Sequence, residues 1–193
     1  IDIQKEIEKK FPNINKKDNF LKKSLFKVAK KIVHEDSINQ FLTQNAHLKG
    51  FEFVDAVLDY FDFDYTVSSS DLQNIPTSGK VVIIANHPLG GLDALCLLRL
   101  ISQVRKDVKI VANDFLAGFE ALNSLLIPID NYKLRQSKND IKKIYEALNN
   151  EEAIILFPAG EVSRATPKGI KDPAWNKGFL NFAQNTNAPI LPI

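Results

Sequence analysis

The sequence has little cysteine, little net charge and no long hydrophobic run. Its 193 residues include one Cys and no Met, and 25 Lys and Arg nearly balance 23 Asp and Glu. One Cys excludes an internal disulfide framework and an all-Cys zinc site, and it is typical of a reducing, cytosol-facing compartment. A formal net charge of +2 removes the electrostatic signature of a nucleic-acid binder. No uninterrupted apolar run approaches the roughly 18–20 residues that a membrane-spanning helix needs.

Both ends of the chain bear on its processing. Residues 1–20 are polar and Lys-rich rather than apolar, so we expect no signal peptide. The chain starts at Ile1 without Met and stops at Ile193, inside the apolar run that begins at Pro189. A strand that ends at the last residue predicts that the protein continues beyond Ile193.

The hydrophobic pattern divides the chain into two regions. In residues 1–64 apolar residues recur at helical spacing, and the predicted helices are Lys16–Val33, Ser37–Ala46 and Phe51–Phe61. In residues 65–193 short apolar runs alternate with helical stretches. The predicted strands are Val81–Ala85, Val108–Ala112, Leu126–Ile129, Ala153–Phe157 and Pro189–Ile193, and the predicted helices are Asp93–Val104, Phe115–Asn123, Lys138–Asn149 and Trp175–Gln184. This alternation predicts an α/β sheet buried on both faces.

The first predicted helix is amphipathic and basic. Its apolar stripe lies at Phe20, Leu21, Leu25, Val28 and Ile32, and its polar face carries Lys16, Lys17, Lys22, Lys23, Lys27, Lys30 and Lys31 against one acid, Asp18. Three roles fit this pattern: a helix packed on the domain with a solvated face, a helix lying on an anionic membrane surface, or a docking site for an acidic carrier protein.

One segment after the first predicted strand combines a base with a carboxylate. Residues 85–93 read Ala-Asn-His-Pro-Leu-Gly-Gly-Leu-Asp, at the point where open α/β sheets place their sites. His87 would lie just past the strand, and Gly90 and Gly91 permit a tight turn or the close approach of a ligand. Asp93, at the start of the next helix, could orient the imidazole and stabilise its cationic form.

Such a pair activates a weak nucleophile. A hydroxyl at neutral pH needs a base to take its proton as it attacks a carbonyl, and an Asp-oriented His does this without a serine intermediate. The alternative is that Asp93 only caps a helix and that His87 is an incidental surface residue.

A second segment, Phe157–Arg164, follows another apolar strand and reads Phe-Pro-Ala-Gly-Glu-Val-Ser-Arg. Gly160 would expose backbone N–H groups and Arg164 would supply a cation, so that together they suit a phosphate or a carboxylate. The alternative is a loop in which Glu161 and Arg164 pair with each other.

Together the two segments resemble the glycerolipid acyltransferases related to 1-acylglycerol-3-phosphate acyltransferase. Those enzymes carry an Asn-His motif followed by Asp, and later a Phe-Pro-Glu-Gly block. The segments here, NHPLGGLD and FPAGEVSR, are similar to those of the branch labelled haemolysin or ornithine-lipid acyltransferase. The resemblance covers residues 50–193, with both blocks in the same order and strand context.

The resemblance implies transfer of a fatty acyl group from an acyl-carrier thioester, acyl-ACP or acyl-CoA, to the hydroxyl of a lysolipid. His87 would be the base and Asp93 its orienter, with no metal and no cofactor. The fold would be a three-layer α/β acyltransferase domain at 65–193, with a mixed, largely parallel sheet and a membrane-contacting helical extension at 1–64. Substrate binding is expected from Asn86, Gly90, Gly91, Pro158, Gly160, Glu161 and Arg164.

This sequence departs from the common glycerophosphate members at several positions. The His-to-Asp gap is one residue longer, and Ala159 stands where they have Glu. Arg164 is displaced from their arginine, and Asp130-Asn131 stands where they usually place an Arg. These groups are associated with an acceptor phosphate, so the departures favour a different acceptor, such as a lyso-aminolipid, over lysophosphatidic acid.

Other chemistries fit the residues less well. A serine hydrolase needs a Gly-x-Ser-x-Gly elbow, and Ser163 lacks that context. A metal site from His34, His47 and His87 lacks ligand spacing.

The overall expectation is a peripheral enzyme of membrane lipid synthesis at the cytoplasmic face of a bacterial inner membrane. Its expected partners are a membrane lipid acceptor, an acyl carrier protein or CoA thioester, and an anionic membrane surface, without nucleic acid. Two readings stay open beside it: a non-catalytic lipid- or acyl-binding module on the same fold, and a lysophosphatidic acid acyltransferase proper.

Overall fold

A computed structural model of the chain describes residues 34–113, 118–129, 138–167 and 169–193. The predicted basic helix Lys16–Val33 and the pair Asp130-Asn131 lie outside these residues. The chain divides into two compact units, residues 1–47 and 48–193. The sequence predicted a functional boundary between residues 64 and 65 instead. The membrane-contacting role predicted for residues 1–64 stays a prediction. In the described part of the first unit, helix α1 spans Glu35–Gln44.

The second unit alternates helices and strands, as the hydrophobic pattern predicts. Helix α2 spans Phe51–Tyr60 and the short α3 spans Ser69–Leu72. The remaining elements, in chain order, are β1 Val81–Ile84, α4 Gly91–Ser102, β2 Val108–Asn113, a 3-10 turn at Glu120–Leu122, β3 Leu126–Ile129, α5 Lys138–Asn149, β4 Ala153–Leu156, β5 Arg164–Thr166, β6 Gly169–Lys171, α6 Gly178–Thr186 and β7 Ile190–Pro192.

Five strands form one sheet in the order β3-β2-β4-β1-β7, and all its pairings are parallel. β1 and β4 are neighbours in register, with Ile84 opposite Leu156, although about seventy residues of chain separate them. The α/β fold is confirmed, but the antiparallel pairing expected within a mixed sheet occurs in a separate hairpin of β5 and β6.

Helices cover both faces of the sheet. β1 and β4 are fully buried apolar strands, and successive side chains of a strand point to opposite faces. On one face, Val82 and Ile154 pack in a cluster with Ile144 of α5 and Phe182 of α6. On the other, α4 packs on β2 and α2 packs on α4. The result is a three-layer arrangement within residues 48–193, which leaves the strand ends as the place for polar residues.

Two predicted helices differ most from the structure, whereas the other predicted helices within the described residues agree with it to within two residues at each end. Gly118 and Phe119 are not helical, so the helix predicted over Phe115–Asn123 is reduced to the 3-10 turn in its described part, consistent with the cost of Gly in a helix. The last helix begins at Gly178 rather than Trp175, because the Asn176 side chain accepts the Gly178 N–H at 2.8 Å and ends the preceding loop there.

One buried cation connects the loops at the amino ends of β1, β2 and β4. Arg105 is only 4% exposed. Its guanidinium makes a two-point ion pair with Asp107, with both contacts at 2.7 Å. It also donates to the backbone carbonyls of Pro76, Gly79 and Glu151. All of these contacts lie at the edge of the sheet opposite the two sequence motifs.

No helix among the described residues is both long enough and apolar enough to cross a membrane.

Candidate active site

The two sequence motifs meet at the carboxyl ends of β1 and β4. His87 lies three residues beyond β1, and Phe157 follows β4 directly. Because the two strands are parallel neighbours, the segments that leave them emerge side by side. The His87 ring stacks on the Phe157 ring, with 3.9 Å between centroids and 18° between planes.

His87 and Asp93 form a close pair. The imidazole Nδ1 lies 3.2 Å from Asp93 Oδ2, and the two side chains are 16% and 13% exposed. The pair does not meet the full geometry of a regular hydrogen bond, so the contact in this state is chiefly electrostatic. Catalytic hydrogen bonds are often long or poorly aligned before substrate binds. Since Nδ1 faces the carboxylate, Nε2 is the ring nitrogen left for a substrate.

Asp93 also caps helix α4. Its Oδ2 accepts the backbone N–H groups of Leu89 at 2.8 Å and Gly90 at 3.0 Å. Sequence reasoning treated capping and His orientation as alternatives, whereas the structure shows one oxygen in both contacts. The cap therefore fixes the carboxylate that faces the imidazole.

The surroundings of His87 set its protonation. Burial lowers the pKa of His87 below its usual value near 6.5, and the Asp93 and Asp172 carboxylates oppose this shift without reversing it. The ring is therefore predominantly neutral at pH 7, which is the form that a general base requires.

Asp172 holds the backbone of the His87 loop, a role that sequence reasoning missed. Its Oδ1 accepts the Ser163 hydroxyl and, at 3.4 Å, the His87 N–H. Its Oδ2 accepts the Trp175 indole N–H at 2.9 Å. Partial burial raises the pKa of Asp172, but these three hydrogen bonds outweigh it and leave the pKa below its ordinary value. The sequence signal was only an Asp-Pro pair after a turn.

Ser163 completes this connection between the two motifs. Its backbone N–H donates to the His87 carbonyl at 2.8 Å. The peptide groups on both sides of the His87 side chain are thus held by residues 163 and 172. The position of the imidazole depends on the loop after β4 as much as on its own loop.

The backbone groups of Pro158 and Gly160 form hydrogen bonds within the protein. Gly160 has φ of +71°, and its N–H donates to the Phe157 carbonyl at 3.0 Å. The Gly160 N–H therefore closes a turn in this state, and the role of Gly160 in substrate binding stays a prediction. Pro158 is buried, and its carbonyl accepts the Asn176 N–H at 2.9 Å.

Glu161 and Arg164 pair with each other, which is the alternative that the sequence left open. Their side chains meet at 2.7 Å and are 51% and 69% exposed. An exposed pair contributes little stability, so an anionic ligand could take the place of Glu161 at small cost. The Arg164 cation is present near the site, but it is not preorganised for substrate.

The remaining predicted residues lie on the turn between β1 and α4. Asn86 and Gly91 are exposed and Gly90 is half-buried. Gly90 has φ of +75°, and a Cβ there would lie 3.4 Å from Val162. A side chain at position 90 would therefore be strained, and the glycine allows the two motif loops to approach.

Among the described residues, no group of three His, Cys, Asp or Glu side chains is arranged to hold a metal ion.

A parallel α/β sheet with the segments NHPLGGLD and FPAGEVSR at its carboxyl edge is the arrangement that the sequence resemblance to the acyltransferases predicts. A search against protein families matches residues 7–193 to the family described as "Acyltransferase". The chain belongs to this family and is an acyltransferase of the glycerolipid acyltransferase superfamily.

Two curated relatives match over the whole chain. The chain is 32% identical over 195 residues to a lyso-glycine lipid O-acyltransferase of Phocaeicola vulgatus, a match that covers all of this chain and 67% of that protein. It is 30% identical over 194 residues to the protein of the same name from Bacteroides thetaiotaomicron, covering 69% of that protein.

One solved structure has the same fold. It is the 1-acyl-sn-glycerophosphate (LPA) acyltransferase PlsC from Thermotoga maritima, with a TM-score of 0.53 and 24% identity. The match covers 74% of this chain and 54% of that chain, so the chain spans about half the length of that enzyme. The likeness establishes the fold.

Proposed function

We propose that this protein transfers a fatty acyl group from a thioester to the hydroxyl of a lyso-glycine lipid or a closely related lyso-aminolipid. The observation that carries the proposal is the His87–Asp93 contact of 3.2 Å at the carboxyl end of β1. It occurs in a chain that aligns over its whole length with two lyso-glycine lipid O-acyltransferases.

In the proposed mechanism His87 is the general base. Its Nε2 takes the proton of the lysolipid hydroxyl as that oxygen attacks the thioester carbonyl. The tetrahedral intermediate collapses, the C–S bond breaks, and the proton on His87 passes to the leaving thiolate. Asp93 stabilises the imidazolium that exists between the two transfers. The products are the O-acylated lipid and a free thiol.

The acceptor is proposed from charge and from the relatives. A glycine lipid would present a carboxylate where lysophosphatidic acid presents a phosphate, and Arg164 is an exposed cation beside the site. The Glu and Arg that the common glycerophosphate members carry are absent at Ala159 and at Asp130-Asn131. These features favour a carboxylate-bearing acceptor over lysophosphatidic acid.

The proposed donor is acyl-ACP or acyl-CoA, with no resident cofactor, because a base and an activated thioester suffice for the transfer. The proposed location is peripheral, at the cytoplasmic face of a bacterial inner membrane. The lysines of segment 16–33 support this location, since each Lys near an anionic surface contributes about 1 kcal/mol of attraction.

The test is acyl transfer followed by mass spectrometry. The purified protein is given lyso-glycine lipid or lysophosphatidic acid as acceptor, each with acyl-ACP and with acyl-CoA. We expect O-acylated glycine lipid as the main product and a loss of 10²–10⁴ in rate for His87→Ala. Efficient use of lysophosphatidic acid with the glycine lipid inert would overturn the acceptor assignment. Binding of lipid without turnover by the wild type would instead identify a non-catalytic binding module.

A further inference from the structure

The hairpin of β5 and β6 has one cationic and one apolar face. Arg164 lies opposite Lys171, and Ala165 lies opposite Ile170. Residues directly opposite each other in an antiparallel pair share a face, and successive residues alternate between faces. Arg164 and Lys171 are therefore on one side of the hairpin, while Ala165 and Ile170 are on the other.

The hairpin is not stabilised by burial. All six strand residues are exposed, and Ile170 is 66% exposed. Like charges directly opposite each other destabilise a strand pair, and an isolated two-stranded hairpin is marginal in water. Among the described residues, Lys171 has no ion-pair partner. Both the apolar face and the second cation are thus largely exposed.

Other exposed apolar side chains lie in the loops that adjoin the hairpin. Leu89 is 54% exposed and Val162 is 44% exposed, and Val162 lies beside Gly90. Single exposed apolar residues are ordinary, but Leu89 and Val162 lie in the two loops next to His87, and Ile170 lies on the hairpin whose ends are hydrogen-bonded to the His87 backbone. Exposed apolar side chains together with cations on the same element are typical of elements that enter the membrane interface.

Both ends of the hairpin are hydrogen-bonded to the backbone of His87. Ser163, immediately before β5, donates to the His87 carbonyl at 2.8 Å. Asp172, immediately after β6, accepts the His87 N–H at 3.4 Å. Whatever surface the hairpin contacts is therefore held at a short and defined distance from the imidazole.

We propose that hairpin 164–171 docks on an anionic lipid bilayer, with the Ile170 face in the interface and Arg164 and Lys171 near the head groups. Docking would bring His87 to an acceptor that resides in the bilayer. The inference rests on the proposed function. A protein partner is a weaker fit, because two three-residue strands offer far less than the roughly 800 Å² per partner of a stable protein interface.

Trp175 provides a local probe, because it is the single Trp of the chain. Its indole N–H donates a hydrogen bond to Asp172, the residue that follows β6, and its side chain is 39% exposed. Its emission is measured with phosphatidylcholine vesicles, with and without phosphatidylglycerol, and with lipids brominated at shallow acyl positions. We expect a blue shift and quenching in the vesicles that contain phosphatidylglycerol.

Two variants locate the contact. Lys171→Gln should weaken vesicle binding about fivefold, and Ile170→Ser should remove the Trp175 quenching. Phe61→Ser is the matched control, because Phe61 is also half exposed but lies outside the hairpin, and its quenching should equal that of the wild type. Thermal unfolding checks that each variant is folded. The combined variant Lys22→Gln, Lys23→Gln, Lys30→Gln and Lys31→Gln should reduce total binding and leave the quenching of the bound fraction unchanged.

Activity separates this inference from the proposed function. Ile170→Ser should lower turnover of a vesicle-embedded acceptor and leave turnover of a monomeric, short-chain lysolipid unchanged. If the wild type does not turn over the short-chain acceptor, the proposed function is refuted. The vesicle-binding measurement would still test the docking inference. The docking inference is wrong if anionic vesicles leave the Trp175 emission unchanged or if the emission changes only with an added protein. It is also wrong if Trp175 is quenched as strongly in Ile170→Ser as in the wild type.

Discussion

Replacing Asp93 by Asn separates the charge of this residue from its geometry. An Asn side chain can keep an oxygen where Oδ2 accepts the Leu89 and Gly90 N–H groups, so helix α4 stays capped. What disappears is the negative charge 3.2 Å from His87 Nδ1. The variant therefore tests whether the carboxylate acts in catalysis or only caps the helix.

The expected loss follows from the distance and the burial. Two unit charges 3.2 Å apart attract by about 5 kcal/mol at an effective dielectric constant of about 20. Both side chains are less than one-sixth exposed, so solvent screens this interaction only in part. If the proton is half transferred in the transition state, about half of the attraction is realised there. We therefore expect kcat to fall roughly 10²-fold.

The assay is steady-state acyl transfer as a function of pH, with thermal unfolding as the control for folding. The Asp93 charge raises the pKa of His87 against the effect of burial, so its removal lowers that pKa further. The acidic limb of the pH–rate profile should move to lower pH while the plateau falls. A folded Asp93→Asn enzyme within threefold of wild-type kcat would refute the reasoning, and a limb displaced to higher pH would contradict the electrostatic account.

Three further predictions follow from other contacts. Asp172→Asn should lower kcat about tenfold by releasing the His87 loop and move the acidic limb to lower pH, with little change in acceptor KM; an unchanged profile with only a lower melting temperature would mean a purely structural role. Arg164→Ala should raise the acceptor KM roughly five- to tenfold at nearly constant kcat. A fall in kcat alone would contradict a role of Arg164 in binding the acceptor. Arg105→Met should lower the free energy of unfolding in urea by about 3 kcal/mol, because three backbone carbonyls lose a charged donor. Asp107→Asn keeps one acceptor for the buried guanidinium and should lower it by about 1–2 kcal/mol; equal losses would contradict this division.

Most of the sheet could be predicted from the sequence because its inner strands β1 and β4 are buried on both faces. Runs such as Val81–Ile84 and Ala153–Leu156 are continuously apolar and bounded by turn residues, and the Lys138–Asn149 helix carries a clear apolar stripe. His87 and Asp93 could be predicted because they flank the end of one such run.

The hairpin and Asp172 could not be predicted in the same way. Strands β5 and β6 are three residues long and exposed on both faces, so they carry no alternation of apolar and polar residues. Asp172 acts through contacts with Ser163 and the His87 backbone, which local patterns do not encode. The turn at Gly160 likewise depends on a backbone hydrogen bond that glycine permits but does not specify.

The insertion of β4 between β1 and β2 has a consequence for biosynthesis. During translation His87 and Asp93 leave the ribosome long before Phe157, Ser163 and Asp172 exist. A nascent chain can form helix α4 and its cap, but it lacks the ring that stacks on the imidazole and the two groups that hold its peptide bonds. The completed site thus depends on a late, long-range strand pairing, and such pairings form slowly. If His87 is the general base, as proposed, a growing chain should become active only once the central strand is in place.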